Sequence, residues 1–324
     1  MSEKNIANSS IDPSTREFIA PPTSAAGLLA RARRHGCELT AASDELETTG
    51  LDFVVAHATD AAGAPWIVRA PRRAEVLAGA RVEARVLALV SGRLPVAVPE
   101  WRVYAPEVIA YPRIAGVPAV TVTAAGPTWN IVDPADPSPV FLVSMARTLV
   151  ALQAIAPEAA REVGVPVSTS AAMRARLAEA MAATREVLQP SVRVWARWQR
   201  WLHSDALWPA HTALAHGDLH PGHMLLAADA RLIGVLDWTE ARVDDPALDL
   251  AMFHGCFGRA ALARLVERFA AHGGRTWPGL VEHAGERWAA FAVAGAEWAL
   301  RAGQTDMLVH ARAQLAAIDA ETGE

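Results

Sequence analysis

Cysteine is scarce. Cys37 and Cys256 stand far apart without metal-type spacing, and both read as buried free thiols. Long apolar runs are missing as well. No stretch approaches the roughly 20 apolar residues that a membrane span requires. The opening residues, M-S-E-K-N-I-A-N, lack the apolar core of a signal peptide. Neither sign of charge dominates: 30 basic against 35 acidic residues leave a net charge of −5, which is no footprint for nucleic acid or an anionic membrane. There is no G-x-G-x-x-G, no internal repeat and no low-complexity tract beyond alanine enrichment. The expectation is a soluble, cytoplasmic chain with neither nucleic-acid nor membrane partners.

What is present suffices for two hydrophobic cores. The chain has 324 residues, 52% of them hydrophobic, and is too long for one typical core. Residues 1–20 are polar, a ragged start that docks only around Phe18-Ile19. Helical spacing follows over 24–37, and 38–41 lead into a first strand. Leu51–Ala58 alternates and is β-branched, and Pro65–Arg69 is a further strand. Arg72-Arg73 read as a solvated basic turn. A helix over 81–89 carries Glu83. Two more strands are expected near Trp101–Tyr104 and Glu107–Tyr111. Residues 115–139, rich in Gly, Pro and Thr, read as a long loop. Apolar residues at 141, 145, 149 and 152 form one helical face. Ser168 or Ser170 is placed to cap a helix running to about Leu188.

The organising stretch is Ala215 to Asp249. It reads A-H-G-D-L-H-P-G-H-M-L-L and then, ten residues on, L-D-W-T-E-A-R-V-D-D-P-A-L-D. Gly217 permits a tight bend before Asp218. Pro221-Gly222 signals a second turn. Met224–Leu226 and Leu232–Leu236 read as two short strands joined by a hairpin connection. Asp218 and His223 then lie at one end of the hairpin, and Asp237, just past its second strand, returns to that end. Two carboxylates gathered around such a turn suit phosphoryl transfer, where positioning and charge neutralisation do most of the work.

H-G-D-x-x-x-x-(N/H) followed by D-W resembles the catalytic loop and metal-binding segment of aminoglycoside phosphotransferase-like antibiotic kinases, themselves similar to protein kinases. The variant H-G-D-L-H-P-G-H with D-W-T-E-A-R-V-D-D-P resembles, more narrowly, the macrolide 2′-phosphotransferases. The resemblance covers about Ala41 to the C-terminus. It implies an α+β, two-lobed protein-kinase-like fold. A small N-lobe of antiparallel sheet plus helix would span 1–110 and a hinge 111–115. A larger, mostly helical C-lobe would span 116–324.

The resemblance also implies roles. Asp218 is the catalytic residue that aligns the accepting hydroxyl. His223 and Asp237 hold Mg²⁺, although imidazole is a soft ligand for so hard a cation. Arg69, where kinases carry a lysine, grips the nucleotide phosphates and is oriented by Glu83. Thr49 and Gly50 lie in the loop expected to cover the phosphates, and an ordinary hairpin turn explains that loop equally well. The hinge, Ile109–Ile114, is expected to meet the purine through Ala110, Tyr111 and Ile114, with Pro112 donating no N–H. His216 and Asp249 brace the catalytic turn. The donor is GTP or ATP, and the resemblance favours GTP.

The acceptor is argued from charge and from tryptophan. Residues 151–215 hold five acidic residues and seven arginines, a poor match for a polycationic aminoglycoside. Trp195, Trp198 and Trp201 fall on roughly one helical side, and Trp288 and Trp298 lie near one face further on. Core packing and an apolar wall for a large ligand are both open readings. In the second, Trp195, Trp198, Trp288, Trp298 and Glu297 touch substrate. The expected activity is a monomeric kinase acting on the 2′-hydroxyl of a macrolide amino sugar. A kinase for another small hydroxyl compound and a non-catalytic binding module on the same fold are the alternatives.

Overall fold

The computed structural model describes residues 18–48, 50–123, 125–302 and 305–321. They form two compact units. The first comprises the described residues up to Leu87 together with Pro99–Ile114, and the second comprises Ala88–Val98 and the described residues from Ala115 onward.

In the first unit, α1 (Ala25–Arg34) precedes β1 (Thr40–Ala41), β2 (Phe53–Thr59), β3 (Pro65–Pro71), α2 (Val76–Val90), β4 (Val103–Ala105) and β5 (Val108–Pro112). The sheet is antiparallel in the order β1-β2-β3-β5-β4. Alternation along β2 explains how the sheet acquires two apolar faces, because successive side chains point to opposite sides. Val54, Ala56 and Ala58 pack with Leu28, Leu29 and Ala32 of α1. Phe53 and Val55 pack on the other face with Val76 and Ala80 of α2. Ser24 caps α1 by accepting from Gly27 N. Arg31 donates to the carbonyls of Ile19, Ala20 and Glu107, so the segment before α1 is tied down through its backbone.

The second unit opens with β6 (Val117–Pro118) and the hairpin β7 (Val120–Thr123) and β8 (Gly126–Trp129). These overturn the long loop expected over 115–139. Gly and Pro dominated that reading, yet V-T-V-T is β-branched and fits a pleated surface. Asn130 donates to Pro118 O and Thr121 Oγ1, closing the base of the hairpin. The helices are α3 (Pro139–Gln153), α4 (Pro157–Glu162), α5 (Ser170–Leu188) and α6 (Val192–His203). α3 starts at an N-cap, Ser138, followed by Pro139. The cap of α5 is Thr169, not Ser168 or Ser170, and it accepts from Ala172 N. Then come β9 (Ala213–Ala215), a 3-10 turn (Pro221–His223), β10 (Met224–Leu226), β11 (Leu232–Val235) and β12 (Arg242–Asp244). Last are α7 (Leu248–Ala271), α8 (Leu280–Ala289), α9 (Phe291–Ala302) and α10 (Thr305–Glu321). The β10–β11 hairpin extends to β6, and β9 pairs with β12.

Trp198 and Trp201 lie in the cluster where α5, α6, α9 and α10 meet. Trp198 is fully buried and donates to Ala289 O. Trp201 donates to His283 Nδ1. Both belong to the core, and Trp198 is therefore removed from the set of residues expected to touch substrate.

Candidate active site

β9 is buried along its length and delivers the chain to His216. His216 is itself fully buried. Its Nδ1 accepts from Asp218 N at 3.3 Å, which leaves the ring proton on Nε2, 2.9 Å from the Leu236 carbonyl. Burial pushes its pKa down to about 3, so the ring is neutral. One side chain thus ties the turn before Asp218 to the residue before Asp237.

Gly217 follows at φ +88°. A Cβ there would lie 2.2 Å from the Glu240 carbonyl oxygen. Asp249, buried in the first turn of α7, accepts from both turn amides: Oδ2 from His216 N and Oδ1 from Gly217 N, each at 2.9 Å. Burial raises its pKa against the pull of those two amides and of Arg242. The start of α7 is held in turn by Asp245, whose Oδ1 accepts from Ala247 N. Asp245 Oδ2 meets His283 Nε2 at 2.7 Å and Arg287 Nε at 3.3 Å. Burial alone would raise the Asp245 pKa, but His283, Arg287 and the hydrogen bonds outweigh it and bring it to about 2.

Asp218 leaves this frame with its side chain 38% exposed. Partial burial is the main reason its pKa rises to about 6; His223 opposes the rise, and Asp237, Glu240 and Asp249 reinforce it. The next residues wind into the 3-10 turn, capped by His220 Nδ1 accepting from Gly222 N at 3.0 Å. His223 Nδ1 lies 3.0 Å from the Asp218 carbonyl oxygen. A carbonyl only accepts, so Nδ1 carries the proton and Nε2 presents a lone pair. That Nε2 lies 3.7 Å from Asp237 Oδ2, and His223 Nδ1 lies 3.7 Å from Asp218 Oδ2.

Asp237 adopts φ +59°, a left-handed backbone that Asp tolerates better than most residues. Its Oδ1 accepts from Thr239 Oγ1 at 2.6 Å, and its Oδ2 faces His223. Thr239→Val keeps the shape and removes the donor. It is expected to cost about 1 kcal/mol of stability and to lower turnover more than it lowers the melting temperature, read by kcat beside thermal melting. Asp218, His220 and His223 together place three potential ligand atoms within 4.8 Å of one another. His220 Nδ1 is already occupied by Gly222 N–H, however, so its remaining nitrogen carries the proton and faces Asp218 Oδ2 at 4.0 Å. His223 Nε2 with Asp237 Oδ2 is the better pair for one cation.

The first unit has a buried cation of its own. Arg69 on β3 pairs with Glu83 on α2 at 2.6 Å. Its guanidinium lies 4.2 Å from the centroid of the Phe53 ring and 5.0 Å from that of Trp101. Glu83 is fully buried beneath Arg69. Lys4 is the chain's one lysine, so a cation on β3 had to be an arginine.

Other expected contacts separate into groups. Ala110 lies in β5 between β3 and β4, fully buried, with its carbonyl accepting from Arg102 N. It has nothing to offer a purine, because an interior strand spends its backbone groups on both neighbours. Tyr111 is likewise a buried β5 residue paired with Ile67. Arg113 N donates to Pro65 O, and Ile114 alone of the three hinge residues lies outside the sheet. Thr49 lies outside the described residues. Gly50 is exposed. Trp195 is half-buried with Arg185 stacked 4.2 Å over its ring. Trp288 is half-buried, stacks on Phe291 and closes over Gly255. Trp298 and Glu297 are half-buried on α9. His220 and Thr239 lie within the two motifs but nothing in their residue types assigns them a role, and His283 and Arg287 lie in no local motif.

An antiparallel sheet with its helices, a separate helical unit and an Asp-centred turn beside a second aspartate define a protein-kinase-like phosphotransferase. The profile of the phosphotransferase enzyme family matches residues 48–283, and the chain belongs to that family. It is 38% identical over 277 residues to the uncharacterized protein YcbJ of Bacillus subtilis (strain 168), covering 85% of this chain and 90% of YcbJ. The apoenzyme crystal structure of macrolide 2′-phosphotransferase MphH from Brachybacterium faecium is similar with a TM-score of 0.82 and 38% identity, over 89% of this chain and 97% of that one. A macrolide 2′-phosphotransferase type I gives a TM-score of 0.82 at 41% identity, over 90% and 96% of the two chains. No helix among the described residues is long and apolar enough to cross a membrane.

Proposed function

We propose that this phosphotransferase moves the γ-phosphoryl group of a nucleoside triphosphate, GTP in preference to ATP, onto the 2′-hydroxyl of a macrolide amino sugar. The observation that carries the reading is the likeness to two macrolide 2′-phosphotransferases over nearly the whole chain. Asp218 is the group that touches the acceptor. It accepts a hydrogen bond from the hydroxyl and aligns that oxygen for in-line attack. As the bond from oxygen to phosphorus forms and the bond to the leaving diphosphate breaks, Asp218 takes the hydroxyl proton. Arg69 holds the phosphates, and Glu83 keeps its guanidinium in place.

His223 Nε2 and Asp237 Oδ2 fit a divalent cation: the first presents a lone pair, and the second is held at its other oxygen by Thr239. Mg²⁺ bound there would neutralise charge on the phosphates. His223→Asn replaces a soft donor with a hard oxygen. It is expected to keep turnover with Mg²⁺ and to lower the ratio of Mn²⁺- to Mg²⁺-supported activity; an unchanged ratio would remove His223 from the metal. The same reading takes the enzyme to act as a cytoplasmic monomer.

The test is direct. Purified protein is incubated with Mg-GTP or Mg-ATP and erythromycin, kanamycin or no drug, and products are weighed by mass spectrometry. One phosphoryl group added to erythromycin alone is the expected result. Phosphorylation of kanamycin, or of neither drug, refutes the assignment.

A further inference from the structure

The loop ahead of β2 carries no glycine-rich signature, yet its backbone is polarised. Reciprocal Glu47–Val55 backbone bonds close the loop. Two arginines just past β3 then take up its carbonyls. Arg72 donates from Nη2 to Thr48 O, from Nε to Phe53 O at 3.3 Å and from its backbone N to Asp52 O at 2.8 Å. Arg73 donates to Leu51 O at 2.9 Å and to Asp52 Oδ1 at 2.6 Å. The expected solvated basic turn is thus a two-arginine clamp. By contrast, among the described residues the amides of Gly50, Leu51 and Asp52 donate to no protein acceptor. The arginines thus take up carbonyls of the loop and none of its N–H groups. Such an arrangement suits an anion, because successive unpaired amides form a concavity of positive partial charge. The location is apt as well: Phe53 pairs in register with Pro71, and its ring covers the Arg69 guanidinium at the same end of the sheet.

We propose that Arg72 and Arg73 are positioning residues for the nucleotide. They clamp the loop at Thr48, Leu51, Asp52 and Phe53 so that the amides of Gly50, Leu51 and Asp52 face the triphosphate, replacing with side-chain forks the tight backbone that glycines supply elsewhere. This rests on the phosphotransferase reading above. A guanidinium spans two carbonyls at once, and an ammonium does not. That difference separates a clamp from a simple positive charge.

The experiment measures equilibrium binding of the γ-thio analogues of GTP and ATP, with no acceptor present, to wild type, Arg72→Lys, Arg73→Lys and the two Met counterparts. Steady-state kinetics accompany it. Lys and Met variants are expected to weaken nucleotide binding alike, by about tenfold, with kcat within about twofold and acceptor KM unchanged. Recovery of affinity in the Lys variants makes the arginines direct charge contacts and overturns the clamp. Unchanged affinity in every variant also overturns it. If Arg72→Met fails to fold, Arg73→Lys decides, since that side chain is 45% exposed and its replacement leaves the core intact. Binding is read without acceptor, so a failure to phosphorylate macrolides refutes the proposed substrate and leaves the clamp standing on its own data.

Discussion

Asp218→Asn is expected to lose about 10²- to 10⁴-fold in kcat, the range that a positioned proton acceptor supplies, while becoming more stable at neutral pH. Both effects have one cause. The carboxylate is held where its charge is poorly solvated and close to Asp237, and its pKa is raised from 3.8 to about 6. An acid whose pKa is higher folded than unfolded favours the folded state when protonated. That contribution is fully present below about pH 3.8 and is lost as pH rises through about 6. A rise of this size corresponds to about 3 kcal/mol. Because the side chain is 38% exposed, solvent screening reduces it to about 1 kcal/mol. Asn carries no charge to strand. Metal-free Asp218→Asn should therefore melt a few degrees above wild type at pH 7.5, with less than half of that gain at about pH 4. Thermal melts at the two pH values check this. An equal gain at both would mean that the charge is not the cause, and near-normal turnover would remove Asp218 from the chemistry.

Gly217→Val is expected to be the most damaging single change to the fold of the catalytic turn. Two costs add. The backbone at φ +88° is strained for a β-branched residue, about 1–3 kcal/mol. The new Cβ would meet the Glu240 carbonyl oxygen at 2.2 Å, and a backbone atom in the turn just ahead of β12 cannot swing aside as a flexible side chain can. Overpacking adds about 1–3 kcal/mol. Asp249 would also lose alignment with the amides of His216 and Gly217, so turnover should vanish with the stability. Gly63→Ala is the control. It has φ +80° but nothing within 4 Å of the added atom, so only the backbone term of about 1–2 kcal/mol applies. Denaturation midpoints of the two variants decide. Equal losses would mean that contact with Glu240 is irrelevant.

The catalytic turn could be read before any coordinates because its geometry is local. A glycine bend, a Pro-Gly turn and two short strands joined by five residues bring His223 and Asp237 to one end of a hairpin almost by chain length alone. The hinge was harder. Ala110 and Tyr111 sit where the chain leaves the first unit, but whether their backbone groups are free depends on β3 and β4 flanking β5 on both sides. The three tryptophans of α6 show the same limit. Trp195, Trp198 and Trp201 share a residue type and a helical spacing. Only the packing of α5, α9 and α10, more than 90 residues away in part, buries two of them fully and leaves the third half-buried.

The sequence by itself determined the class of chemistry and the two-unit fold, because its length exceeds one core and the contiguous His-Gly-Asp and Asp-Trp motifs that carry the resemblance act over a few residues. The tertiary structure decided which groups support that turn and which ionise. Asp249 reaches back 32 residues to Gly217, His283 reaches 38 residues to Asp245, and the pKa of Asp218 follows from charges gathered around it in space. Burial and charge proximity are properties of three-dimensional neighbours, and no local pattern records them.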